Sequence, residues 1–233
     1  MASYFDQFVI VNIVPGITNS SLMLLISIVF IFVIFRNDNL IPRRWQVVLE
    51  ILYDHWVNLI KDSLTSKGLK YFPFIISTFF LVASLNLFGL FPYVFTVGTH
   101  IVITFGISLS ILIAVTILGI KNFKLNFFSM LMPQGAPMVL GPLLVLIETA
   151  SYLSRALSLG IRLAANLSAG HLLFIILASF SYKMLESNLI MLSLFPILIM
   201  VFITVLEIAV ALIQAYVFCL LITIYLEDTL KSH

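Results

Sequence analysis

Charged side chains are scarce in this sequence, because Asp, Glu, Lys and Arg together make up only 9% of its 233 residues. Soluble domains carry about 25% charged residues. Here 62% of the chain is hydrophobic and the mean hydropathy is +1.18. This composition excludes a soluble globular domain and indicates a polytopic membrane protein. The basic pI, about 8.7, reflects where lysine and arginine lie along the chain and predicts no binding to nucleic acid.

Cysteine is nearly absent as well, since Cys219 is the only one and lies inside an apolar run. A single cysteine excludes a disulfide framework and a cysteine-based metal site. The four histidines are scattered, so the sequence predicts no histidine metal cluster and no cofactor. No G-x-x-x-x-G-K-[ST] loop occurs, so no nucleotide-binding catalytic site is predicted on this chain.

The N-terminus lacks a basic region, and Asp6 is the only charged side chain before Arg36. This pattern predicts neither a cleaved secretory signal nor an Arg-rich transit peptide. Residues 1–19 are interpreted as a short lead-in, and so apolar a chain fits insertion close to where it is made.

Long apolar runs between polar breaks predict an all-α fold, with residues 1–233 forming a single integral membrane domain. The first predicted span covers residues 17–36 and ends at a sharp polar stop, Arg-Asn-Asp-Asn. The second covers residues 72–95 and contains Pro92 near its end. The third covers residues 100–120 and is followed by two lysines.

Residues 41–70 have a different pattern, in which charged residues alternate with apolar ones at helical spacing. The apolar stripe includes Trp45, Val48, Leu52 and Trp56, and tryptophan favours the headgroup layer. The stretch is therefore predicted to be an amphipathic helix lying on the membrane surface. The alternative is a helix in a soluble loop.

Two further runs, residues 136–182 and 189–228, are too long for ordinary spans. As single helices they would measure roughly 70 and 60 Å at 1.5 Å per residue, against a hydrocarbon core of about 30 Å. No basic or turn-rich break divides either run, which argues against two pairs of ordinary spans. We expect two long, strongly tilted helices that form a hairpin, for about five membrane-embedded helices in all.

Lysine and arginine define the expected orientation. With five crossings, nine of these residues fall on the side that holds the C-terminus, and only Lys183 falls on the other side. Positive residues favour the inner side of a membrane. The N-terminus is therefore expected outside and the C-terminus inside, in the cytoplasm or matrix.

Three ionisable residues, Glu148, Arg155 and Arg162, lie seven residues apart along the first long run, so they share one helix face. An arginine at the bilayer centre costs about 2.5–3.5 kcal/mol on insertion scales, so such residues point to an ion or proton path. Arg162 lies among small residues, where a permanently charged guanidinium can attract a carboxylate on a partner and block proton transfer. The alternative, for Arg155 especially, is a structural arginine; Arg162 could pair with Glu148 or Glu207.

The second long run carries Glu207 and Gln214, again seven residues apart on one face. In an antiparallel hairpin His171 lies at a depth similar to that of Glu207. These two are predicted to form a proton relay open to the outside, lined by Asn166 and Gln214. The alternative is a buried histidine that is simply hydrogen-bonded. A second acidic zone is predicted at the inner ends of the two arms, from Glu148, Glu227 and Asp228.

Three segments resemble a known family, subunit a of the rotary ATP synthases, called subunit 6 in its mitochondrial form. The segment 158–171, SLGIRLAANLSAGH, is similar to the family's most diagnostic stretch, and Arg162 takes the position of its essential arginine. Residues 207–218 resemble the last-helix motif, and residues 86–93, NLFGLFPY, resemble the second-span motif. The pairing of His171 with Glu207 is similar to the mitochondrial pattern.

The resemblance implies a proton-translocating stator with two offset half-channels separated by Arg162. Its partners would be the c-ring, the peripheral stalk, other membrane-sector subunits and membrane lipids. The implied location is the mitochondrial inner membrane, or alternatively a bacterial plasma membrane. ATP chemistry would belong to other subunits.

Two other classes of function remain as alternatives. A secondary transporter would have a charged substrate site, but no inverted repeat is visible in the sequence. A purely structural subunit of a respiratory complex would have intramembrane charges that are paired and dispensable for flux.

Overall fold

Six α-helices run through the part of the chain that the structure describes, which confirms the all-α membrane fold predicted from the sequence. The computed structural model describes residues 8–35, 44–91, 94–123, 141–188 and 190–230, and the side chains of Arg155 and Asp228 lie outside this description. The helices are α1 (Asn19–Phe35), α2 (Arg44–Gly68), α3 (Phe72–Gly89), α4 (Ile101–Phe123), α5 (Gly141–Glu186) and α6 (Ile190–Leu230). Short 3-10 helices, Leu69–Tyr71 and Val97–Thr99, precede α3 and α4.

The chain before α1 forms a small antiparallel hairpin rather than a plain lead-in. Its strands are β1 (Asn12–Val14) and β2 (Ile17–Thr18). Pro15 and Gly16 form the turn, and Gly16 has a φ of +95°, the left-handed conformation that glycine adopts at no steric cost. Because β2 takes up residues 17 and 18, α1 begins at Asn19 rather than at the predicted position 17.

Helix length and composition make four helices capable of crossing a membrane, over residues 69–89, 101–122, 143–186 and 191–227. Helix α1 is apolar too, but its 17 residues measure about 26 Å, slightly less than a hydrocarbon core of about 30 Å. It is the fifth apolar helix among the described residues.

The two long helices extend without interruption, α5 over 46 residues and α6 over 41. Helix α6 continues past Pro196, the one helix breaker noted in its sequence. Helix α3 is shorter than its predicted span, 72–95. It ends at Gly89 in turns in which Leu90 and Phe91 each donate to the carbonyl three residues back. Pro92 follows three residues later, and proline disfavours the continuation of a helix because it has no amide hydrogen to donate.

The chain divides into two compact units. The first unit comprises residues 1–37, 80–104 and 162–216, and so contains the hairpin, α1 and the parts of α3, α5 and α6 around Glu207. Helix α1 packs here through edge-to-face ring pairs, Phe30 with Phe88 and Phe35 with Phe80, each with centroids 5.0 Å apart.

The second unit comprises residues 38–79, 105–161 and 217–233. In it Trp56 is fully buried and its ring lies 5.4 Å from that of Phe79. Trp45 is 84% exposed. The prediction that both tryptophans face the headgroup layer is therefore wrong for Trp56, because the same helical stripe passes from the exposed end of α2 into the contact with α3.

Candidate functional site

A small cavity lies inside the first unit, where α3, α5 and α6 meet. Its volume is about 30 Å³, enough for one or two water molecules, since one water needs roughly 10–15 Å³ on this measure. The cavity brings together three residues that the sequence predicted to line one path: Asn166, Glu207 and Gln214. Its other lining residues are Asn86, Leu90, Leu163, Leu167, Val210 and Ala211.

Glu207 reaches this cavity because the facing residue on α5 is a glycine. A side-chain carbon at Gly170 would overlap the Glu207 carboxylate, and would lie 2.7 Å from its Cδ. The Oε1 atom of Glu207 has no contact with solvent and no hydrogen-bond partner among the described residues. Buried polar atoms are normally hydrogen-bonded, so a water molecule in the cavity would satisfy this oxygen.

Asn86 contributes a hydrogen-bond acceptor to the cavity. Its side chain is 1% exposed, and its Nδ2 donates to the backbone carbonyl of Ala211 at 3.2 Å. Because a carbonyl can only accept, the amide orientation is determined and Oδ1 is the remaining acceptor. Within the described residues, Oδ1 of Asn86 and Nε2 of Gln214 are buried and have no partner. Together with Glu207, the cavity therefore offers two acceptors and one donor that a water molecule can bridge.

His171 contacts α3 rather than the Glu207 side chain. Its Nε2 donates to the carbonyl oxygen of Gly89 at 2.7 Å, and this bond places the proton of the neutral ring on Nε2. Nδ1 is then the atom able to accept a proton. The ring of Phe8 packs edge-on against the imidazole at a centroid distance of 6.5 Å. Glu207 thus lies against Gly170 of α5, whereas the next residue of the chain, His171, bonds to α3.

Arg162 is exposed, and its neighbours Leu163 and Ala164 are buried. Ala165, Asn166 and Ala169 are exposed too, and their spacing puts them on the face that carries the guanidinium. This chain therefore presents a permanently charged group on an open surface of small side chains, and such a surface lets another helix approach closely.

The residues predicted for the inner zone lie in the second unit. Glu148 is exposed and Glu227 is partly buried. The two long helices contact each other in this unit through Tyr152 and Tyr225, whose rings are 5.3 Å apart. For Arg155 and Asp228 the prediction falls on side chains outside the described part of the structure.

The α3 side of the site is only partly predictable from the sequence, which indicates Asn86 and Gly89 as interior-facing residues of the second span but not the contacts that they make. Asn86 was a recognisable signal, as an amide within an apolar run, and its second-span motif was noted. The Gly89 carbonyl that accepts from His171 carries no sequence signal, because every residue has such an oxygen. Within the described residues, no group of three or more His, Cys, Asp or Glu side chains could hold a metal ion.

Comparison with known proteins gives a consistent result over the full chain. A family model described as "ATP synthase A chain" matches residues 17–227. "ATP synthase subunit a" of Metridium senile is 56% identical over 232 residues, covering 100% of this chain and 99% of that protein. The subunits of the same name are 42% identical in Marchantia polymorpha (99% of each chain) and 41% identical in Chondrus crispus (100% of this chain and 98% of that protein).

Proposed function

Because the chain belongs to the ATP synthase A chain family, we propose that it is the membrane-sector stator subunit through which protons reach and leave a rotating ring of c subunits. The observation that carries this proposal is the position of Arg162. Its charge lies on the open small-residue face of α5, and the cavity beside Glu207 lies in the same unit. A ring carboxylate that passes this face would meet the guanidinium, and the cavity that Glu207 lines would supply its protons.

The outer half-channel is assigned to the cavity and its ionisable neighbours. Water in the cavity can donate to Glu207 and to Asn86 while it accepts from Gln214, which orders it within hydrogen-bonding reach of the carboxylate. His171 extends this route, since its Nδ1 can accept a proton and its Nε2–H is held by Gly89. Asn166 lies between the cavity and the exposed face that carries Arg162.

The inner half-channel is assigned to Glu148 and Asp228, with Arg155 and Glu227 in secondary roles. Glu148 is exposed in this chain. Arg162 separates the two routes. A guanidinium keeps its proton at all relevant pH values, so it attracts the ring carboxylate but cannot pass a proton from one route to the other.

The remaining assignments follow from the same role. Each proton that crosses 100 mV releases about 2.3 kcal/mol, so several protons are needed per ATP. This chain would carry no catalytic site, and the nucleotide chemistry would belong to other subunits. The eukaryotic relatives support the mitochondrial inner membrane as its location. The distribution of lysine and arginine supports an N-terminus outside and a C-terminus in the matrix. Helix α2 would lie on the inner surface, against lipid headgroups and the peripheral stalk.

Substitution of Arg162 tests the proposal in the assembled synthase. We expect Arg162→Ala to abolish proton-driven ATP synthesis while ATP hydrolysis by the catalytic subunits continues. Arg162→Lys should lose most of the synthesis, because a desolvated lysine can release its proton. The measurement is ATP synthesis in inverted membrane vesicles or liposomes under an imposed proton gradient.

Arg155→Gln is the matched control, since it removes an equal charge two helical turns away. It should retain partial synthesis. Near-normal synthesis in either Arg162 variant would refute the proposal. Complete loss in Arg155→Gln, with the complex assembled, would mean that Arg162 is not the sole essential arginine.

A further inference from the structure

Part of the connection between α3 and α4 is buried, namely the three residues Thr96, Val97 and Gly98. Thr96 is 4% exposed, Val97 is 2% exposed and Gly98 is buried. Connecting segments usually run over a protein surface, because their backbone polar groups need water. The buried stretch, Thr96–Gly98, and the partly buried Thr99 and His100 that follow it therefore call for a physical reason.

This connection reaches far along α5. A side-chain carbon at Gly98 would overlap Leu167 and would lie 3.9 Å from Leu163. Leu167 precedes the last residue of α5, Glu186, by 19 residues, which is about 28 Å at 1.5 Å per residue. Within the hydrocarbon region of a membrane, irregular backbone is tolerated only where it is buried in protein or lines a water-filled cavity, and Thr96–Gly98 meet the first condition.

The turn borders the cavity described above. The position of a side-chain carbon at Gly98 is 3.7 Å from Oδ1 of Asn86, the unpaired acceptor of that cavity. The missing side chain at Gly98 is what allows the turn to come this close to Leu167 and Asn86.

Polar atoms continue from this point to the end of the connection. The hydroxyl groups of Thr96 and Thr99 are 3.1 Å apart, and Thr99 also donates to the Thr96 carbonyl at 2.7 Å. His100 follows directly, with its ring stacked on Phe95 at a centroid distance of 5.3 Å. The Nε2 atom of His100 has no solvent contact and no hydrogen-bond partner among the described residues.

We propose that His100 is a further proton-carrying residue of the outer access route, with the Thr96–Thr99 turn as a wall of that route. This inference rests on the proposed function. Neutral imidazole accepts a proton from water at one ring nitrogen and becomes imidazolium. It then releases the proton from the other nitrogen to water next to the cavity, so one proton moves and the ring returns to its neutral form.

Replacement of the imidazole by a ring that cannot carry protons separates this role from a structural one. His100→Phe keeps an aromatic ring to stack on Phe95, whereas His100→Ala removes it. We expect both variants to lower passive proton conduction by roughly tenfold, below the 10²–10⁴-fold typical of positioned proton-transfer groups because water supplies part of the route. Conduction is measured with the membrane sector in liposomes under a potassium diffusion potential. His55→Phe, the same change at an exposed histidine of α2, should leave conduction unchanged.

Conduction in His100→Phe equal to that of the unaltered complex would overturn the inference and leave the stacking role alone. Arg162→Ala, assayed in parallel for ATP synthesis, tests the proposed function independently. If synthesis survives that change, the stator proposal fails. If it is lost while His100→Phe conducts normally, only the assignment of His100 fails.

The unaltered complex provides a second measurement that needs no variant to assemble. Hydrogen–deuterium exchange at the imidazole C2 position, followed by mass spectrometry, reports whether water reaches a histidine. We expect His100 to exchange over days, more slowly than the exposed reference His55 but measurably. Absence of exchange at His100, with exchange complete at His55, would exclude water access and refute the inference.

Discussion

At the residue scale, the close approach of Gly170 to Glu207 can be tested directly by substitution. Any larger side chain there would meet the Glu207 carboxylate. We expect Gly170→Ala to displace Glu207 from the cavity and to reduce proton conduction by at least tenfold, since misplacement of a reacting group by about 1 Å can cost about 10²-fold in rate. The measurement is proton conduction by the reconstituted membrane sector.

Gly106→Ala is the matched control, because the same substitution on α4 would meet no atom within 4 Å. Alanine is favoured over glycine in a helix by roughly 0.5–1 kcal/mol, so the control should assemble at least as well as the parent. Conduction equal in the two variants would mean that the close approach of Gly170 and Glu207 has no functional role.

The same scale shows where prediction from sequence reached its limit. Glu207 and Gln214 were placed on one face by their spacing, and with Asn166 they line one cavity. Helical periodicity is enough to predict which residues lie together when they belong to one helix or to one helical hairpin. The partner of His171 is a backbone oxygen of α3, 82 positions away, and only three-dimensional packing can select it.

At the element scale, α2 offers a test of orientation. Trp45, Asp54 and Lys61 are exposed, whereas Trp56 and Ile60 are fully buried. With α2 on the inner surface, we expect cysteines placed at positions 54 and 61 to react with an impermeant thiol reagent added from inside only. A cysteine at position 60 is the buried control and should react from neither side. Reaction at position 61 from outside would refute the five-crossing topology.

The sequence predicted those helices that correspond to long apolar runs. Helices α5 and α6, of 46 and 41 residues, follow from apolar runs in which no turn or strand pattern competes with the helix. The N-terminal hairpin was missed because its strands have three and two residues, too few for an alternating pattern. Only the Pro15–Gly16 turn marked it. Hydrogen bonds between Asn19 and residues 9 and 11 hold the segment in place, and they join residues eight and ten positions apart, beyond the reach of a helical or strand pattern.

At the scale of the whole molecule, the proposed mechanism requires opposite accessibility for its two acidic zones. Cys219 is fully buried and can be replaced by serine to give a background without reactive thiols. Single cysteines at 171 and 207 should then allow inhibition first by silver ion or a thiol reagent added from outside. Cysteines at 148 and 228 should allow inhibition first from inside.

Equal reactivity of all four positions from one side would indicate a single aqueous vestibule, as in a transporter, and would exclude two half-channels. If none of the four substitutions or modifications affected flux, the intramembrane charges would be structural only. The first outcome would indicate a secondary transporter and the second a purely structural subunit, the two alternatives that the sequence left open. The number and position of charges along the chain cannot distinguish them.

The exposed face of α5 has a mechanical consequence. Helices that stay in fixed contact interlock, with side-chain ridges of one lying in the grooves of the other. Between Arg162 and Ala169 the exposed positions carry Ala165 and Asn166, so little projects there except the guanidinium. A neighbouring helix that moves across such a surface meets few obstacles to sliding and a single electrostatic stop. Under the proposed function, the methyl groups of this face let the ring helices pass with little steric resistance, while the charge of Arg162 sets where each ring carboxylate is held.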